Sequence, residues 1–324
     1  MSSEPIFVTI LCLTYNHESY IRQCLDGFVM QQTNFRFEAI VHDDASTDST
    51  TDIIREYAEK YPDIIKPIYE TENQYSKHDG SLTRIMNAAT HGKYVAFCEG
   101  DDYWTDPYKL QKQISFLEKH LEYSMCCSNA IIVTPNGEKD WSISKNDIDL
   151  KIEDLIKKGG LYIATASIVY RREVKDDYPE YCKKCRVGDH PLQIMCGLKG
   201  KVRYLSSKMV AYRYGIGDSW SATRKKQDIH KLIEDWKSSI YMLEGLNEYS
   251  NHKYERYFYE GELQIILSNA GNYLEYAKLI FEEMTKIAPN CLKHTDLKSK
   301  IKIFLIKSRM SFVWGLLKKR KNDY

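Results

Sequence analysis

The chain reads as an α/β protein: a mostly parallel sheet flanked by helices, with an all-helical appendage behind it. Three observations predict this. Apolar, strand-like runs alternate with helical periodicities through the first third. Three of those runs end in polar residues able to do chemistry, where an open α/β sheet collects its ligands. Strand signals vanish beyond about Lys225, which sets a boundary between a domain over 1–224 and a helical region over 225–324.

The first strand is IFVTILCLTY (6–15), apolar enough to be buried on both faces. Tyr20, Ile21, Cys24, Leu25, Phe28 and Val29 then mark one helical face, with Asn16 as the expected cap. FEAIVHDD (37–44) is the second strand, and Ile53, Ile54, Tyr57 and Ala58 mark a helix that stops near Pro62. IIKPIYE gives a third strand, pushed to an edge by Pro67. Leu82, Ile85, Met86 and Ala89 mark a third helix, expected to close at Gly92. KYVAFCEGD is the fourth strand. After it come a helix through Leu110, Ile114, Leu117 and Leu121, and a strand SMCCSNAIIVTPNGE closing in a Pro-Asn-Gly turn. LYIATASIVYRRE and VRYLSSKMVAYRY read as further strands, with a helix in VGDHPLQIMCGLKG between them.

Composition narrows the class. Of 324 residues, 43% are hydrophobic and 28% charged, with a net charge of +1, which fits an ordinary soluble protein and not a broadly basic nucleic-acid binder. No secretory leader and no apolar run long enough to span a membrane is expected. Nine cysteines, several inside apolar runs, suggest reduced buried thiols in a cytoplasmic protein. The single C-x-x-C at Cys182 and Cys185 has no second pair at zinc-site spacing and reads as packing.

The chemistry concentrates in CEGDDYWTDP (98–107). At strand spacing Glu99 and Asp101 point the same way, and Gly100 between them leaves room for a ligand. Two carboxylates on one face repel unless a cation lies between them, and Mg²⁺ or Mn²⁺ would do so while keeping positions for phosphate oxygens. Asp102 and Asp106 suit the dipole of the helix that follows. Asp43 and Asp44, after the second strand, can accept hydrogen bonds from a base or ribose, or simply cap a helix.

Four stretches in order, LTYNHESYIRQCLDGF, IVHDDASTDST, RIMNAATHGKYVAFCEGDDYWTDPYKL and GDHPL, resemble the inverting nucleotide-sugar glycosyltransferases of family 2. The resemblance covers about 5–222 and implies the GT-A fold, a Rossmann-like sheet, in an enzyme of the bacterial surface-polysaccharide type. It implies that Thr14, Tyr15 and Asn16, with Glu18 beyond, touch the nucleotide. Asp43 and Asp44 would hold the base, and Arg84 would face the nucleotide or diphosphate. Glu99-Gly100-Asp101 would be the Asp-x-Asp motif, with Asp101 a ligand of Mn²⁺ or Mg²⁺. Glu99 replaces the family's first Asp, leaving open whether it meets the metal, its water or the ribose. Asp189 matches the catalytic base, since an attacking hydroxyl must give up its proton. His190 beside it reads as packing.

The closing YRYGIGDSWS matches at Tyr212 and Arg213, while Tyr214 and Gly215 stand where the family has a histidine. Arg213, Ser219 and Ser221 are the candidate replacements at the diphosphate. Tyr103 and Trp104 line either a sugar cleft or the core.

The implied reaction is metal-dependent transfer of a hexosyl or N-acetylhexosaminyl group from a UDP-sugar to a glycan or lipid-linked acceptor. Two alternatives stay open: a catalytically inactive sugar-nucleotide binder, and a phospho-receiver-like signalling domain using Asp43 and Asp44. At the C-terminus, IKIFLIKSRMSFVWGLLKKRK alternates basic and apolar residues. Over 301–306 this suggests packing on the protein, and over 312–321 contact with the inner face of a membrane.

Overall fold

The first apolar run forms β1 (Val8–Thr14), and α1 (Ile21–Val29) follows, burying Ile21, Cys24, Leu25 and Phe28 along one line of its surface. β2 (Phe37–Asp43), α2 (Thr50–Lys60), β3 (Ile65–Tyr69), α3 (Ser81–Ala88) and β4 (Tyr94–Phe97) complete the alternation. Next come β5 (Tyr103–Trp104), α4 (Lys109–Lys119), the hairpin of β6 (Tyr123–Thr134) and β7 (Gly137–Trp141), then β8 (Ile148–Leu150) and α5 (Ile152–Lys158). β9 (Val169–Arg171), α6 (Glu180–Lys183), α7 (Asp189–Lys199) and β10 (Lys201–Arg213) close the sheet-forming part. Four helices follow among the described residues: α8 (Ile229–Tyr249), α9 (Glu255–Asn272), α10 (Ala277–Ile287) and α11 (Leu297–Lys307). This computed structural model describes residues 4–77, 79–216, 227–308 and Trp314.

One ten-stranded sheet runs in the order β3-β2-β1-β4-β9-β6-β10-β5, with β7 beside β6 and β8 beside β10. β3, β2, β1 and β4 are parallel, β9 is antiparallel to both β4 and β6, and β10 is parallel to β6, so the sheet is mixed. Pro67 lies in β3 at the sheet's edge, where a missing amide donor costs least. The chain builds outward from β1 to β3, then crosses to β1's other side as β4. That reversal opens a crevice beyond the carboxyl ends of β1 and β4.

Two compact units divide the chain: 1–151 with 160–184 and 195–226, and 152–159 with 185–194 and 227–324. The first holds every strand. In the second, α8, α9 and α10 enclose a core that includes Leu232, Ile240, Ile266, Phe281 and Met284. Gly261 of α9 lets α5 approach, since a Cβ there would lie 2.9 Å from the Ile156 carbonyl oxygen. The boundary placed between 224 and 225 lies outside the described residues, and two short segments from before it belong to the helical unit.

Some local expectations are corrected. Asn16 does not cap α1, which starts at Ile21; it sits at φ 54 and donates its own turn to the site. Gly92 does not close α3, which ends at Ala88. It is needed because a Cβ there would lie 2.5 Å from the Thr9 amide nitrogen. LYIATASIVYRRE is mostly short 3-10 turns, with only Val169–Arg171 as strand. All nine cysteines are free and buried.

Candidate active site

Beyond Phe97 the chain stays against β1: the Cys98 amide donates to the Leu11 carbonyl at 3.2 Å and the Gly100 amide to that of Leu13 at 2.8 Å. This carries Glu99, Asp101 and Asp102 to the crevice, where one carboxylate oxygen from each lies within 4.8 Å of the others. Gly100 is obligatory for a different reason from the one its neighbours suggest. A Cβ there would lie 2.6 Å from Thr14 Oγ1 and 2.8 Å from His17 Nδ1, so the space beside it is filled by protein. Behind the motif, the Sγ atoms of Cys12 and Cys98 each lie 3.9 Å from Cys24 Sγ, and burial pushes the Cys24 and Cys98 thiols up.

Asp102 is not a helix-dipole residue, since α4 starts only at Lys109. Its Oδ1 accepts from the Arg213 amide at 2.9 Å, while its buried Oδ2 has no hydrogen-bond partner among the described residues. Burial first, and the Asp101 charge second, raise its pKa well above the carboxylate range. Three clustered carboxylates, one with an orphaned buried oxygen, fit the oxygen donor set of a hard divalent cation.

Arg213 brings a positive charge to the acidic turn. Its guanidinium donates to the Asp101 carbonyl and to Gln23 Oε1, and lies 4.6 Å from the Tyr103 ring centroid and 4.9 Å from that of Tyr20. Stacking between two rings holds the cation without using the carboxylate oxygens. Trp104 belongs to the core: it is buried, donates to the Ala166 carbonyl at 3.0 Å and packs on Phe28.

The loops after β1 and β2 are zipped together. Asn16 Oδ1 accepts from the Thr47 amide at 2.8 Å, Glu18 Oε2 from the Ser49 amide at 2.9 Å, and Asp48 Oδ2 from the Glu18 amide at 3.1 Å. Ala45, at φ 65, takes a left-handed conformation costly for a residue with a Cβ. Asp43 accepts from the Ser46 amide at 3.1 Å and from the Thr51 hydroxyl. Asp44 accepts from the Gln74 and Tyr75 amides at 2.6 and 3.0 Å, tying down the loop after β3. Thr14 Oγ1 lies 3.1 Å from His17 Nδ1. Burial lowers the His17 pKa, while the Asp101 and Asp48 charges oppose that shift. Tyr15, 45% exposed, is the aromatic surface these loops present.

Thr14, Gly100, Asp101, Asp102 and Arg213 therefore meet at one place, linked by direct contacts. Arg84 is exposed on α3 and donates to the Asp79 carbonyl at 2.9 Å. Asp189 is the first residue of α7, within the helical unit, and accepts from the His190 amide at 2.7 Å. His190 Nε2 lies 3.1 and 3.2 Å from the Leu155 and Ile156 carbonyl oxygens, and burial lowers its pKa to about 4, so it serves packing. Ser219 and Ser221 lie outside the described residues. Sequence reasoning missed the roles of Gln23 and Tyr20, which lie inside LTYNHESYIRQCLDGF but read there only as helix, and undervalued Asp102, whose pairing with Asp101 was the available signal.

Residues 9–178 match the family model described as Glycosyl transferase family 2. The chain belongs to that family. Among relatives of this family 2 chain, the uncharacterized protein Rv1520 of Mycobacterium tuberculosis is 38% identical over 225 residues, 68% of this chain and 63% of that protein. The chain thus spans 63% of the length of that curated relative. Staphylococcus aureus TarS, solved with UDP-GlcNAc, matches at a TM-score of 0.69 and 16% identity, covering 98% of this chain and 92% of that one. The Pyrobaculum calidifontis mannosyltransferase PcManGT, solved with GDP-Man and Mn²⁺, matches at 0.53 and 14% identity, covering 100% and 89%. The family 2 chain thus has the GT-A fold of both neighbours, which removes the phospho-receiver alternative.

Proposed function

We propose that this glycosyltransferase is inverting, and moves a sugar of hexosyl or N-acetylhexosaminyl type from a UDP-sugar to a hydroxyl of a glycan or lipid-linked acceptor. The observation that carries the reading is the Glu99, Asp101 and Asp102 cluster at the crevice, in which Asp102 also has a buried oxygen without a hydrogen-bond partner among the described residues. Mn²⁺ or Mg²⁺ held by Asp101 and Glu99, joined by Asp102, would offset the negative charge growing on a departing diphosphate. The nucleotide sugars seen with TarS and PcManGT support a donor of this class.

The chain's own residues take the remaining roles. Tyr15, Asp43 and Asp44 border the base and ribose, Asn16 and Glu18 keep the two loops in register, and Thr14 and Gly100 set the floor. Arg213 and Arg84 face the diphosphate. Asp189 takes the proton of the acceptor hydroxyl. That oxygen attacks the anomeric carbon from the side opposite the diphosphate, so configuration inverts. The reading places the enzyme in the cytoplasm, peripheral to the inner face of the membrane where a lipid-linked acceptor lies.

The test is thermal unfolding with UDP- and GDP-sugars, with and without Mn²⁺, since a ligand bound only by the folded state raises the melting point. A UDP-sugar should stabilise the protein in a metal-dependent way, and Asp101→Asn should abolish the shift. No shift with any donor, with or without metal, would remove the assignment. Turnover with the stabilising donor separates an enzyme from an inactive binder.

A further inference from the structure

α11 has a buried line and an exposed apolar line. Residues three and four apart share a face of a helix, so Ser299, Ile303 and Ile306 form one line and Leu297, Ile301 and Phe304 another, almost opposite. The first line is the core face: Ser299 and Ile306 are buried, and Ile303 packs against the helical core. The second faces outward, with Leu297 74%, Ile301 52% and Phe304 61% exposed. Isolated exposed apolar residues are ordinary; a continuous ridge of three on the solvent side of a surface helix is not.

Charge decides what covers the ridge. The helix contains Lys298, Lys300, Lys302 and Lys307 and no acidic residue, and Asp296, just before it, caps it by accepting from the Ser299 amide at 2.7 Å. Lys300 and Lys307 lie on one flank of the ridge and Lys298 on the other, all exposed. An apolar line edged on both sides by cations suits the boundary between acyl chains and anionic headgroups. It does not suit a protein surface of mixed charge, nor a second copy presenting the same lysines to itself.

We infer that the outward face of α11 docks on an anionic lipid bilayer, with Leu297, Ile301 and Phe304 entering the interface and the lysines contacting headgroup phosphates. The sequence placed such contact at 312–321, of which Trp314 alone is described, packed against the helical core, and expected 301–306 only to pack; α11 packs through one stripe and leaves the other for lipid. The inference supplies a surface for the peripheral location proposed above. It rests on α11 alone and stands whether or not the donor is a UDP-sugar.

The experiment is co-sedimentation of the full chain with phosphatidylcholine vesicles, with and without phosphatidylglycerol, at low and high salt. Binding should require phosphatidylglycerol and weaken with salt. The double variant Ile301→Glu/Phe304→Glu should bind at least about tenfold more weakly. Lys298→Gln/Lys300→Gln/Lys307→Gln should weaken binding by about fivefold per charge removed. Phe304→Trp should show a blue-shifted emission on the anionic vesicles. Circular dichroism and donor-induced thermal shift, both unchanged, establish that the variants fold. The inference is overturned if the parent ignores anionic vesicles, if the Glu double variant binds as the parent does, or if that variant instead turns a dimer into a monomer.

Discussion

The Arg213 amide donates to the Asp102 carboxylate at 2.9 Å across 111 residues of sequence, fastening the last residue of β10 to the acidic turn after β4. The same residue's guanidinium reaches the Asp101 carbonyl and Gln23, so main chain and side chain grip consecutive residues of the turn. One Asp102 oxygen is used in this way and the other is left over. The turn is thus fixed by protein while its carboxylate cluster keeps capacity for a cation.

Replacing Arg213 separates those roles. Arg213→Met keeps the amide bond to Asp102 but loses two charge-assisted hydrogen bonds and the stacking between Tyr20 and Tyr103. Bonds of that kind contribute about 1.5–3 kcal/mol each when buried. The melting temperature should fall by several degrees and donor affinity by at least about tenfold. Arg213→Lys should not restore either, because an ammonium cannot fork to two acceptors while lying flat between rings. Thermal unfolding and donor titration in the presence of Mn²⁺ check both.

Gly100→Ala places a methyl 2.6 Å from Thr14 Oγ1 and 2.7 Å from Thr14 Cβ, neither of them the end of a flexible chain. Either β1 or the acidic turn must move. Overpacking of this kind costs about 1–3 kcal/mol. The expected result is a lower melting temperature together with loss of the metal-dependent donor shift. A variant as stable as the parent would mean that the turn tolerates displacement.

Much of this was legible in the sequence, for a physical reason. β1, β2 and β4 are buried by neighbours close in the chain, so their apolar runs and the polar residues ending them announce both the strands and the crevice. β5 announces nothing: it is two residues long and is a strand only because Trp104 and Tyr103 pair with Val210 and Ala211. Arg213 matched a motif, yet its two rings and Gln23 come from elements that sequence spacing cannot bring together. The split of 152–159 and 185–194 into the helical unit likewise depends on packing partners far along the chain.

Asp189 opens α7, where a carboxylate also favours the helix by meeting its first amides. Asp189→Asn keeps the shape and most of that capping but cannot take a proton. Activity should fall by about 10²–10⁴-fold while donor-induced stabilisation persists. His190→Gln should instead lower stability with little change in the pH profile of the residual rate, because His190 serves the α5 carbonyls. A rate that survives Asp189→Asn would move the base elsewhere.

Lys109 is fully buried at the start of α4, and its Nζ has no hydrogen-bond partner among the described residues. The Trp104 ring centroid lies 4.2 Å away, and Cys98, Cys126, Cys127 and Asp106 are the ionisable groups acting on it. Burial pushes its pKa down from 10.5 to about 7. Between those values the unfolded chain holds a proton that the folded protein does not, so stability falls as pH drops through this window, by at most about 1.4 kcal/mol per pH unit. Below about 7 both states are protonated and the loss stops growing. Lys109→Met fills the same space without an amine. It should be more stable than the parent, with the gain constant below about pH 7 and fading toward pH 10.5. Denaturant unfolding across that range is the measurement. A gain independent of pH would show that the ammonium is compensated by the face of Trp104 and costs the fold nothing.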